Sequence, residues 1–143
     1  MTPEEEKVLA ATKRFYDAIE QMISGKGMVA MHAAWHHTPR VTSGHPTGAW
    51  ASGWDEVSAT WEVFGTFGKP ENAGSSIRDL RVYLYGDVAY TTGVFVASPS
   101  FGSAQLNVTN VLHRADGEWK IIHHHADKAP TMERALEKMA AEG

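Results

Sequence analysis

Apolar residues recur at spacings of three and four near the start of the chain: Val8, Thr12, Phe15, Ile19 and Met22, with Leu9, Tyr16 and Ile23 beside them. This spacing predicts an amphipathic helix. Thr2 supplies an N-cap, Pro3 stands at the first helical position, and Glu5 completes a capping-box pattern. Gly25-Lys26-Gly27 ends the helix. Met28 to Trp35 predicts a second, short helix stopped by Pro39. Residues 40–43 read as a short strand, 44–48 as a Gly/Pro loop and 49–51 as another short strand. A third helix begins at Ser52 or Gly53, with Asp55 and Glu56 in its first turn and Val57, Trp61 and Phe64 on its apolar face.

After a loop over residues 65–74 the period changes to two. Leu80, Val82 and Leu84 alternate with Asp79, Arg81 and Tyr83, as a half-buried strand requires. Gly86-Asp87 turns the chain into a strand over 88–98, with Thr91, Gly93, Phe95 and Ala97 on one face. Two further strands, 105–114 and 118–126, are joined by Asp116-Gly117, a hairpin signal. Met132, Leu136 and Met139 mark a C-terminal helix or tail over 130–143. Helices grouped before strands predict an α+β fold. Three N-terminal helices would cover one face of a strongly curved antiparallel sheet within a single domain over 1–143. The open end of such a sheet is a natural small-molecule pocket.

Composition narrows the chemistry. The chain has 143 residues, 43% hydrophobic and 21% charged, with a formal charge of -4. That balance carries no basic footprint for nucleic acid. Cysteine is absent, which excludes disulfides, thiolate metal sites and a Cys nucleophile. No apolar run approaches the ~18 residues of a membrane span. The acidic start Met1-Thr2-Pro3-Glu4-Glu5-Glu6 lacks the apolar core of a signal peptide. A cytoplasmic protein is the expectation. Five Trp, five Phe and four Tyr suffice to line an apolar pocket or to fill a core.

The strongest chemical signal is His123-His124-His125 followed by Ala126-Asp127 at the end of the last strand. Strict alternation puts Trp119, Ile121, His123, His125 and Asp127 on one face and Lys120, Ile122, His124 and Ala126 on the other. Lys120 marks the second face as the wetter one, so His123 or His125 is expected to point inward. His32 and His36 sit four apart, a known ligand spacing. Neither Cys nor an intervening Glu accompanies them, and no metal or other cofactor is expected.

The order of signals resembles the SnoaL-like group of the NTF2-like superfamily, which includes ketosteroid isomerase and polyketide cyclases. The resemblance rests on the capped first helix, Ala34-Trp35, His45-Pro46-x-Gly48, Gly53-Trp54-Asp55-Glu56-Val57, and Trp119-Lys120-Ile121-Ile122-His123-His124-His125. It implies a cone-shaped barrel, usually a homodimer packed through the outer sheet face, and a small-molecule ligand. It does not fix one activity. Where these enzymes often carry a catalytic Asp near a Pro, this chain has His45. Tyr16 falls near the position of an oxyanion-donating tyrosine. The resemblance therefore implies proton transfer of the isomerase, cyclase or dehydratase type on an apolar, carbonyl-containing substrate. His45 would be the base, His125 with Asp127 a second acid/base, and Tyr16 an oxyanion donor. Trp35, His36, Trp54, Trp61, Phe95, Asn107, Thr109 and His123 would line the pocket. Two alternatives stand beside this reading: a non-catalytic binding or dimerisation module, and a His-ligated metal pocket.

Overall fold

A computed structural model describes residues 1–46 and 48–142. Thr47 of the expected loop and Gly143 of the expected C-terminal segment lie outside the described residues, as does the side chain of Met132.

The first helix, α1, spans Pro3–Ile23. Thr2 caps it, and the Glu5 carboxylate accepts reciprocally from the Thr2 N–H at 3.0 Å. Its buried face holds Val8, Thr12, Phe15, Tyr16, Ile19 and Met22, the stripe that periodicity predicts. Helix α2 covers Val29–Ala34, and α3 covers Trp54–Gly65 with Val57 and Trp61 buried. Strand β1 is Thr42–Gly44 and β2 is Ala51–Ser52. The long strands follow: β3 Ser76–Tyr85, β4 Val88–Val96, β5 Gln105–Ala115 and β6 Glu118–Lys128. Helix α4, Ala129–Glu142, closes the chain.

The six strands form one sheet in the order β2-β1-β6-β5-β4-β3. The expected antiparallel meander accounts for β3 to β6. The short β1 adds one parallel pairing, to β6, placing Ser43 beside His124 and Gly44 beside His125. The core lies between α1 to α3 and the concave face of the sheet. No helix of the described residues is long and apolar enough to cross a membrane.

Two irregularities decide which side chains enter that concave face. In β3 the register shifts between Arg78 and Arg81, around Asp79 at φ 58°. In β6, Leu112 pairs with Ile121 but Val111 pairs with His123, so Ile122 has no partner on β5. An extra residue of this kind is a β-bulge, and it reverses the alternation beyond it. Before the bulge, Trp119 and Ile121 are buried; after it, His124 and Ala126 are. The expectation that His123 or His125 points inward is therefore corrected: the inward histidine is His124.

Candidate ligand pocket

The concave face and α1 and α3 enclose a cavity of about 520 Å³. That size falls in the range of ~300–1,000 Å³ typical of small-molecule sites. Aliphatic and aromatic side chains dominate its wall, among them Ile19, Met22, Phe64, Phe95, Leu106 and Val108. Tyr16, His45, Asn72, His124 and Lys128 are the lining residues with polar side chains besides Trp61, whose Nε1 is buried.

A hydrogen-bonded chain fixes the orientation of two of these groups. Asn110 is fully buried on β5, in the inward row with Val108 and Leu112. Its Oδ1 lies 2.7 Å from Nδ1 of His124. An amide oxygen only accepts, so Nδ1 carries the proton and Nε2 keeps its lone pair. The same amide donates through Nδ2 to the Tyr16 hydroxyl at 2.8 Å. The Tyr16 oxygen thereby accepts from Asn110, and its own proton is left to donate elsewhere. Thr91, bonded to Thr12 at 3.3 Å, extends this buried polar row.

The electrostatics follow from burial. His124 is 3% exposed. Desolvation, reinforced by repulsion from His45, His123 and His125, holds its pKa well below the ordinary value. Burial likewise brings His45 down to about 4, with His125 adding a smaller repulsion. Burial raises Tyr16, against the lowering effect of its Asn110 bond. All three are neutral near pH 7. His45 stands edge-on to Trp61 and Phe64, with ring centroids 4.9 and 5.0 Å away, and its Nε2 lies 3.2 Å from Ser43 Oγ. Its centroid is 6.0 Å from that of His124. The buried Trp61 Nε1 has no hydrogen-bond partner.

Of the residues expected at the site, Tyr16, His45, Trp61 and Phe95 line this cavity. The others lie elsewhere, for identifiable reasons. His123, His125 and Asp127 face outward because of the bulge. His123 Nδ1 meets Thr42 Oγ1 at 2.6 Å, and Trp50 covers both outer histidines with centroids 5.7 and 5.2 Å away. Asp127 accepts from the Lys128 N–H rather than orienting His125. Asn107 and Thr109 pair with Asp127 and His125 on that outer face, because Val108 and Asn110 hold the inward positions. Trp35 is core, packed on Phe15, and Trp54 stacks on His37 at 4.1 Å. The ring of His36 bonds to the His113 carbonyl at 2.9 Å. His32 lies 3.6 Å from Glu62 instead of joining His36 at a common ion. Among the described residues no three His, Cys, Asp or Glu side chains converge to hold a metal.

Sequence reading missed His124 and Asn110. Asn110 was accessible to it, because Val108, Asn110 and Leu112 share one parity in β5. His124 was not, because nothing local marks Ile122 as an extra residue.

Comparison with known proteins agrees with this architecture. An NTF2-like protein of unknown function from Pseudomonas putida KT2440 superposes with a TM-score of 0.75 at 17% identity, over 89% of this chain and 87% of its own. A proposed dehydratase of the NTF2-like family from Streptomyces avermitilis gives 0.71 at 24% identity, over 90% and 99%. In sequence, the chain is 25% identical over 105 residues to the F-box protein SKIP8 of Arabidopsis thaliana, covering 73% of this chain and 44% of that protein. It thus spans less than half the length of that relative. Residues 8–130 match the family described as a SnoaL-like domain, and the chain belongs to the SnoaL-like family, with the NTF2-like fold.

Proposed function

We propose that the cavity binds a small, apolar, carbonyl-containing substrate and catalyses proton transfer of the isomerase, cyclase or dehydratase type. The observation that carries this reading is the Asn110 amide. It leaves a hydroxyl donor on Tyr16 and a lone pair on His124 beside the neutral His45, all at one apolar cavity. His45 would take a proton from the carbon next to the carbonyl. Tyr16 would donate to the oxygen as negative charge develops there. His45 would return the proton at the same or a conjugated carbon. His45 is a weak base in the empty site, but an enolate forming beside it in an apolar cavity raises its proton affinity. His124 replaces His125 as the second acid/base of the site. The Streptomyces protein described as a proposed dehydratase is compatible with this class of chemistry.

The test is solvent-deuterium incorporation next to the carbonyl across a panel of cyclic and aryl ketones, followed by NMR. His45→Ala is expected to slow exchange by roughly 10²–10⁴, as for loss of a positioned base. Tyr16→Phe is expected to slow it by roughly 10² or more, as for loss of an oxyanion donor. Exchange unchanged in both folded variants would remove the catalytic reading.

A second reading, a binding module without chemistry, is favoured by one observation. His124 is committed to Asn110 and almost wholly buried. It predicts saturable binding of the same ketones with no exchange.

We also propose a homodimer through the outer sheet face. Tyr83 stacks on Tyr90 at 4.6 Å, Tyr85 is 68% exposed and Trp50 59% exposed, all on the side away from the helices. Light scattering should give twice the chain mass for the wild type, and one chain mass for Tyr85→Glu if this face is the interface.

A further inference from the structure

The cavity has two polar ends that differ in kind. The inner end holds Tyr16, His124 and His45, grouped through the Asn110 bonds and a 6.0 Å ring contact, and all of them are uncharged. Among the described residues no carboxylate lines the wall. A buried neutral end of this sort accepts a carbonyl or hydroxyl and rejects an ion, which would lose its hydration without a counter-charge.

The lining residues Phe67, Phe101 and Lys128 are exposed and so belong to the mouth, and among the described lining residues Lys128 is the one formal charge. Beyond the bulge, the inward row of β6 runs His124, Ala126, Lys128, and Lys128 pairs with Leu106 at the end of β5. Backbone parity thus aims the Lys128 side chain along the cavity wall. Its methylene stem continues the apolar lining, and its ammonium reaches water at the rim. Asp127, its neighbour, points to the other face and accepts from the Lys128 backbone N–H.

We propose that the natural occupant is an amphiphilic carboxylate: an aliphatic or aromatic body filling the cavity, a neutral oxygen at the inner end, and a carboxylate at the rim paired with Lys128. This deepens the proposed function and rests on the cavity being the ligand site. A pair at a wet rim is worth a modest factor, about fivefold in affinity, and weakens with added salt. Lys128 is therefore a selector among ligands, while the apolar wall supplies most of the binding.

The experiment is calorimetric titration of the full chain with 6-(6-hydroxy-2-naphthyl)hexanoate, whose phenol supplies the inner oxygen, and with its uncharged primary amide, at low and high salt. The expected result is about fivefold tighter binding of the acid at low salt. That preference should vanish in Lys128→Gln, with the affinity for the amide unchanged. Val108→Trp, which fills the cavity, should abolish both. Equal affinity for acid and amide in the wild type would overturn the role of Lys128 while leaving the cavity as the ligand site. Binding that survives Val108→Trp, or no binding of either probe, would overturn the cavity itself.

Discussion

Replacing Asn110 with Leu tests the polar row more directly than any change to a histidine. Leucine keeps the same branched shape, though it is bulkier, and removes all of the amide's hydrogen bonding. The His124 Nδ1–H is then buried without a partner, because Asn110 Oδ1 at 2.7 Å is its acceptor. An orphaned buried donor costs about 1–3 kcal/mol. The Tyr16 hydroxyl loses its 2.8 Å bond but still faces the cavity, where water can replace the amide, so this loss is nearer 1 kcal/mol. The sum is about 2–4 kcal/mol, or roughly 6–15 °C in Tm for a domain of this size. Urea unfolding followed by circular dichroism measures it, and an unchanged m-value would show that the compact state persists. A loss below about 1 kcal/mol would refute the claim that Asn110 satisfies His124 and Tyr16. Asn110→Asp supplies a second readout. A carboxylate facing Nδ1 raises the proton affinity of His124, so the His124 ring signals should titrate at higher pH than in the wild type.

Three further outcomes follow from the same structure. His45 and His124 both bind protons less readily in the fold than unfolded, so the unfolded chain gains protons first as pH falls below the ordinary histidine value of about 6.5. Stability should be flat above that pH and decline towards pH 4, with His45 contributing about 1–2 kcal/mol after allowance for its partial exposure; denaturant midpoints at pH 7.5 and 5 check this, and His45→Gln should flatten part of the slope. A methyl group on Gly68 would lie 2.4 Å from the Met22 carbonyl oxygen, a backbone atom that cannot swing away, so Gly68→Ala should lower stability by about 2 kcal/mol or more in thermal melts. The Glu20 carboxylate accepts from the N–H groups of Gly74 and Ser75 and from the Ser75 hydroxyl; Glu20→Ala should cost about 1 kcal/mol and speed hydrogen exchange at those two amides.

Much of the fold was legible because it depends on local signals. The α1 stripe, its capping box and the alternation of β4 follow from sequence periods of 3.6 and 2 and from end chemistry; in β5 the alternation was legible but not which face turns inward, since Val108 and Asn110 hold the places expected for Asn107 and Thr109. His45 was legible as a pocket residue because its loop is marked by Gly and Pro and by the family order of motifs. Which of three consecutive histidines enters the cavity was not legible. That choice depends on Ile122 being extruded from the β5–β6 ladder. A bulge there answers to curvature and to packing across strands, and leaves no mark in the local pattern.

The sequence by itself determined that helices would lie on a curved sheet and which residues of α1 and α3 would be buried, and the family order of motifs brought His45 to the pocket. Tertiary structure decided the rest. It placed Trp35 and Trp54 in packing rather than at the site, and it turned His123, His125 and Asp127 outward. It also joined Asn110, His124 and Tyr16 into one polar row. The physical reason is that a one-residue change of register exchanges the two faces of a strand, and register is set by contacts between strands distant in sequence.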